Sequence, residues 1–336
     1  MENNMNPTQK AARELLRCDF RYVYTTLNTE RIIPGSYMVA MIPYLGMVMD
    51  GAENWVAAMN QVSPGTLDMP TFTSEEKSFY QEARGSIKLW DKTYAEIFGL
   101  LQNLYLESDH FFSSKCKPIA KQLHLYDIFG AYLINGHFSG NTILWALTLP
   151  GYHLDNSNYG PTLKGLSIVS GKYVACFDAL KPFTVIDSAA AKNRDFGGFV
   201  KSPVGNTFSY KFVLFSLLCQ LNFLIYGVNN LLVENPPTKL RFSYIMYYYL
   251  CNVLPEVNAT HDTNFELNRR YQSREFRNAM AHYKLGAYLK PSELIFDDPM
   301  FGMTQKGFGL DYCAFEEIIM SELLSLSVQI EKYLKL

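Results

Sequence analysis

Residues 262–286, DTNFELNRRYQSREFRNAMAHYKLG, constrain the fold more than any other stretch of this chain. Cap signals, helical periodicity and reactive side chains coincide there. Thr263 with Glu266 three residues on fits a capping box, and Gly286 stands where a C-terminal glycine cap belongs. Between them is room for about six helical turns. At about 100° per residue, Phe276, Ala279, Met280 and Tyr283 share one face, which predicts a stripe packed into a core. Arg270, Arg274, Arg277, Asn278, Ala281 and His282 share the other. Arg277 and His282 diverge by about 140° and flank that polar face, with Arg274 and the small Ala281 between them. A second surface lowered onto Ala281 would meet little bulk. The plainer reading of the same pattern is a basic, solvated helix face that holds a histidine.

The rest of the chain fits a helical frame around that stretch. Residues 8–29 carry Ala12, Leu15, Leu16, Phe20 and Tyr24 at helical spacing, and 37–59 form a Met-rich apolar segment interrupted by Pro43 and Gly46. Residues 62–72 read as a loop. Thr73 opens a third helix that reaches residue 107, with a weak point at Gly85 and a stripe of Tyr80, Ile87, Trp90, Tyr94, Ile97 and Leu101. Residues 115–149 predict short elements, including a buried helical turn over 141–147, and 150–165 a loop. Short β-branched or aromatic runs at 167–169, 173–176 and 183–186 predict a small strand cluster. The polar, glycine-bearing stretch 189–205 is the expected domain boundary. Four helices follow: 207–233, 239–253 ending at Pro255, the stretch already described, and 312–334 after a Pro- and Gly-bearing connection. The expected fold is mainly α. A mainly helical region over 1–200, with short strands near 165–187, precedes a four- or five-helix bundle over 201–336.

Composition narrows the function. With 48% hydrophobic and 18% charged residues, the 336-residue chain is an ordered globular protein large enough for two domains. Its 23 Tyr and 23 Phe predict ring-rich cores and interfaces. A net charge of −2 leaves no global basic field, so any nucleic-acid contact rests on a few local cations. Cys18, Cys116, Cys176, Cys219, Cys251 and Cys313 are scattered without a CxxC pair, the usage of reduced thiols in a cytoplasmic protein. The polar N-terminus shows no apolar signal-peptide core. The apolar run 212–226 is shorter than a bilayer span needs and is broken by Gln220 and Asn222, so a buried bundle helix is expected and no membrane. His110, His124, His137, His153 and His261 show no metal-ligand spacing, and no HExxH, GxGxxG or GxSxG occurs. GLSIVSGK at 165–172 fails as a phosphate loop: the glycines are one residue too far apart, and Tyr173 stands where Ser or Thr should hold magnesium.

The run Arg277-Asn278-Ala279-Met280-Ala281-His282, with Glu275-Phe276 before it and Tyr283 after, closely resembles the signature of the HEPN superfamily. These are small helical bundles, many of them metal-independent ribonucleases, that share an arginine, four to six residues and a histidine. Arg277 and His282 are the only such pair in the chain, and the resemblance covers roughly the last 130 residues. It implies an endoribonuclease using no cofactor and no metal, with RNA as substrate, a site composed across a homodimer, and a setting in microbial defence, antiviral or as a toxin, or in stress response. The N-terminal region would be a sensor, regulator or substrate-selecting module, answering to a regulatory partner that the sequence does not identify. Toxin members often carry a tyrosine two residues past the histidine. Lys284 stands there in this chain, and Tyr283 falls on the apolar face as a core residue.

Cleavage would proceed by attack of a ribose 2′-hydroxyl on the adjacent phosphorus, leaving a 2′,3′-cyclic phosphate, and needs a base, an acid and positive charge on the phosphorane. His282 suits either proton role near neutral pH. Arg277 offers a fixed fork for non-bridging oxygens. Asn278, one turn from His282, would orient it or the phosphate, while Arg274 and Arg270 would add substrate grip. One histidine does not easily serve as acid and base together, whereas two motif helices at a two-fold interface supply two. Two rival readings are a HEPN module that binds RNA or a nucleotide without cutting, and a helical interaction or assembly protein in which Arg277 and His282 point apart into separate salt bridges.

Overall fold

The computed structural model describes residues 5–28, 36–62, 72–149, 159–177, 180–184, 191–229, 234 and 237–336. The chain is mainly helical with one small antiparallel sheet. The loop expected over 62–72 and the start of that expected over 150–165 fall largely outside the described residues. Helix α1 (Pro7–Asn28) buries Leu15, Leu16 and Phe20, as its periodicity predicts. Helix α2 (Ser36–Val62) runs straight through Pro43, because its residues 40–52 are buried and packing there outweighs the hydrogen bond that proline removes.

The third expected helix is two. Helix α3 (Ser74–Ser86) begins at a true capping box, Thr73 with Glu76, and ends near Gly85. A single 3-10 turn follows, and helix α4 (Tyr94–Lys115) starts at a second capping box, Thr93 with Glu96, which the apolar stripe running across it had masked. After helix α5 (Pro118–Gln122), strands β1 (Asp127–Ile134) and β2 (His137–Asn141) pair as a hairpin. Asn135 and Gly136 both have positive φ at its turn, the chemistry an Asn-Gly hairpin requires. Helix α6 (Thr142–Ala146), capped by Asn141, is the short buried helix expected there.

The strands expected near 165–187 are not found among the described residues. Helix α7 (Tyr159–Val174) takes the last residues of the loop expected over 150–165 and the first part of that stretch, with Ser167 and Ile168 exposed and Val169, Ser170 and Tyr173 buried, a helical and not an alternating pattern. The third strand, β3 (Ala191–Gly197), lies in the polar stretch instead and pairs with β1, giving the order β2-β1-β3.

Helix α8 (Tyr210–Asn222) continues as a π-helical turn over Phe223–Asn229. This is the described helix long and apolar enough to cross a membrane, but 89% of its apolar window is buried in the protein. Helix α9 (Pro237–His261) passes through Pro255 and ends eight residues beyond the expected 253. Helices α10 (Arg274–His282), α11 (Leu285–Tyr288) and α12 (Met303–Phe308) lead to α13 (Tyr312–Leu334), which lies where the sequence puts it. One hydrophobic cluster extends from Ala11 in α1 to Leu334 in α13. None of the six cysteines is in a disulfide.

Candidate functional site

The helix that carries Arg277 and His282 is nine residues long, not six turns. Side chains of the flanking helices take the backbone groups that a longer helix would have used. Asn258 on α9 brackets Phe265, accepting from its N–H at 3.0 Å and donating to its carbonyl at 2.9 Å. Gln329 and Glu322 on α13 accept from the N–H groups of Glu266 and Asn268 at 2.8 and 2.9 Å. The Tyr244 hydroxyl takes the Ser273 N–H at 3.0 Å. Thr263 therefore caps nothing and donates to Asn258 at 2.9 Å. The real N-cap is Ser273, which accepts from the Phe276 N–H at 3.2 Å. The helix stops at Tyr283, whose φ of 53° is left-handed, three residues before Gly286.

This shorter helix separates the expected site residues. Arg274, Arg277, Asn278 and His282 are on α10, but Arg270 sits in the 3-10 turn before it, exposed, with its guanidinium 5.6 Å from the Tyr271 ring. Arg274 is exposed at the first helical position. Ala281 is 7% exposed and belongs to the core, so the shallow seat expected between Arg277 and His282 is filled by the protein itself. Phe276 anchors the helix against the rings of Tyr244 at 4.6 Å and Phe308 at 5.0 Å.

Helix α2 closes the site, and two of its glycines set the distances. A Cβ on Gly46 would lie 2.4 Å from the Arg84 amide nitrogen and 2.7 Å from the Tyr80 carbonyl, so α3 rests directly on that glycine. A Cβ on Gly51 would lie 2.0 Å from the Tyr283 ring, which packs there and fixes the end of α10. Asp50, between them, pairs with Arg84 at 2.8 Å, with side-chain exposures of 10% and 17%. The other nitrogen of the Arg84 fork reaches His282 Nδ1 at 2.7 Å. A guanidinium can only donate, so Nδ1 accepts, and a neutral His282 carries its proton on Nε2.

Burial, then Arg84, Lys284, Lys88 and Arg277, push the His282 imidazole down from its ordinary 6.5 to about 4. At neutral pH it is an uncharged hydrogen-bond donor among cations. Arg277 is half-buried, its guanidinium 4.9 Å from the Tyr248 ring and 5.6 Å from that of Tyr249. Its Nε is buried without a hydrogen-bond partner, and it has no ion-pair partner among the described residues. Such a charge, held on aromatic faces and left without an anion, is suited to receive one. Arg84, Asp50, Lys88 and the two tyrosines were not legible as site residues, because the contact between Arg84 and His282 spans 198 positions.

The other described histidines have partners or face solvent. His261 meets the Tyr94 hydroxyl at 2.6 Å and stacks on Tyr210, His137 stacks on Tyr226, and His124 lies 3.4 Å from the Tyr126 hydroxyl. His110 is exposed and His153 lies outside the described residues. No group of three or more His, Cys, Asp or Glu able to hold a metal ion occurs among the described residues. No family model, curated protein or solved structure matches the chain.

Proposed function

We propose that this protein is a metal-independent endoribonuclease whose site is built on Arg277 and His282. The observation that supports it best is a half-buried Arg277, without an ion-pair partner among the described residues, on the same short helix as a neutral histidine, with Arg84, Lys88 and Lys284 acting on that histidine from outside the helix. Cations that act on one neutral Nε2–H donor suit a phosphodiester, and positive charge there would stabilise the phosphorane as it forms. Arg277 grips non-bridging oxygens, Asn278 lies one turn from His282 on the same helix, and Arg274 and Arg270 extend the basic surface toward solvent. A homodimer that brings two such helices together would supply the second histidine, and the cellular setting in defence or stress response follows from the HEPN resemblance alone.

A second reading is favoured by a specific feature. With Nδ1 occupied and its pKa near 4, His282 is neither an effective acid nor an effective base at neutral pH in this arrangement. That state suits a module that binds RNA without cutting it. The deciding assay incubates the protein, His282→Ala and Arg277→Ala with mixed-sequence RNA in EDTA and examines the ends of the products. Wild-type cleavage leaving 2′,3′-cyclic phosphate, reduced at least about a hundredfold in both variants at unchanged melting temperature, supports the nuclease. Cleavage that survives in His282→Ala removes it, and RNA binding without cleavage establishes the second reading.

A further inference from the structure

We propose that Arg84 is a phosphate-binding residue of this site, held in reserve on His282, and that an RNA phosphodiester draws it off and so frees the imidazole for proton transfer. The inference rests on the reading of the site as a receptor for RNA phosphate and adds how the substrate switches it on.

The geometry carries the argument. Arg84 divides its fork between a carboxylate, Asp50 at 2.8 Å, and a neutral ring nitrogen, His282 Nδ1 at 2.7 Å. The two contacts are unequal. A guanidinium bonded to an anion gains the attraction of two full charges, which one bonded to a neutral ring nitrogen lacks, so an arriving phosphate outcompetes the imidazole and not the carboxylate. Asp50 therefore acts as the anchor, keeping Arg84 beside the site while its other donors change partner. Gly46 holds the α3 backbone at Arg84 against α2, so the exchange needs only a side-chain movement. No covalent bond changes: the phosphate oxygens accept the N–H groups that Nδ1 releases.

The charged groups that face His282 are Arg84 from α3, with Asp50 of α2 behind it, Lys88 in the turn after α3, Arg277 on α10 and Lys284 just beyond it. Four of these five are cations, and together with burial, the larger cause, they hold the imidazole neutral. A bound phosphate both removes the donor from Nδ1 and offsets that charge. His282 then returns toward its ordinary pKa, where both proton roles operate near neutral pH. Substrate arrival thereby converts a binding site into a reactive one.

The test uses the full chain labelled with ¹⁵N-histidine and reads the tautomer and titration midpoint of His282 by NMR. The probe is a 2′-O-methyl oligonucleotide, which carries the phosphates but lacks the attacking hydroxyl. The free protein should show His282 as the Nε2–H form with the lowest midpoint of the assigned histidines. Saturating probe should raise that midpoint by about one unit or more. Arg84→Gln should raise it without probe and weaken probe binding about tenfold. Arg84→Lys keeps the charge and loses the fork, and serves if the glutamine variant melts early. An unchanged midpoint and affinity in these variants overturns the inference, as does a wild-type protein that binds no probe. Because no step requires cleavage, the two ideas fail separately. A protein that shifts as described but cuts no RNA loses only the nuclease reading, and one that cuts RNA with Arg84 indifferent loses only the exchange.

Discussion

His282 makes the stability of the whole chain depend on pH in a window its surroundings define. Its pKa is about 4 in the folded protein against an ordinary 6.5. Above the higher value the imidazole is neutral in both states and has no effect on the balance. Between the two, the unfolded chain binds a proton that the folded chain refuses, so stability falls as pH drops from 6.5 toward 4 and levels off below. Melting temperature measured from pH 7 to 4.5 should therefore fall less steeply in His282→Gln than in the wild type. Equal slopes would show that the ring is not held neutral. The spacing in the sequence was enough to put Arg277 and His282 on one helix, and both lie on α10. It was not enough to show what touches them. Arg84 has no local signature, being one of many exposed-looking arginines until α2 and α3 fold beside α10. Ala281 was misjudged for a related reason: a small residue on a polar face reads the same whether solvent or a neighbouring helix covers it.

At the scale of elements, the site depends on how closely α2 and α3 approach. Gly46→Ala would put a Cβ 2.4 Å from the Arg84 nitrogen, against backbone that has no rotamer with which to escape. The helices must separate, at a cost of about 1–3 kcal/mol, and Arg84 must withdraw from His282. A lowered melting temperature together with an upward-shifted His282 midpoint would register both effects in one variant, and a variant with neither would mean that α3 is not seated on Gly46. Caps were legible only where nothing competed for them. Thr73 with Glu76 was read correctly, because each of these side chains takes the other's backbone N–H as the spacing predicts. Thr263 with Glu266 has the same spacing and failed, because Asn258, Gln329 and Tyr244 from neighbouring helices satisfy the segment in a non-helical form. Thr93 with Glu96 was missed because a continuous apolar stripe conceals a break that a capping box announces. The β-branched run at 167–176 suggested strands, and burial every three or four residues along α7 overrode that local preference.

At the scale of the molecule, a buried ion pair joins the first helix to the second half of the chain. Arg241 on α9 bonds Asp19 on α1, Thr238 donates to the same carboxylate at 2.6 Å, and Arg241 lies 4.0 Å from the ring of Tyr283 beside the candidate histidine. Removing one partner strands the other charge. Arg241→Met should destabilise by about 3–5 kcal/mol, whereas Asp19→Leu with Arg241→Met should recover most of that loss, as read from denaturant midpoints. A double variant no more stable than the single would mean that the pair holds the helices in register and not merely in charge balance. These contacts also bear on how the protein is made. The residues that meet at the site and its support stand 198 and 222 positions apart. At roughly 5–20 residues per second, a ribosome completes the second partner of each pair about 10–40 s after the first. During that interval α1, α2 and α3 leave the tunnel without α10 to cover them, and Arg84 has no His282 to hold. Assembly of the cationic centre thus waits for the synthesis of α10, and a product terminated before that helix lacks it altogether.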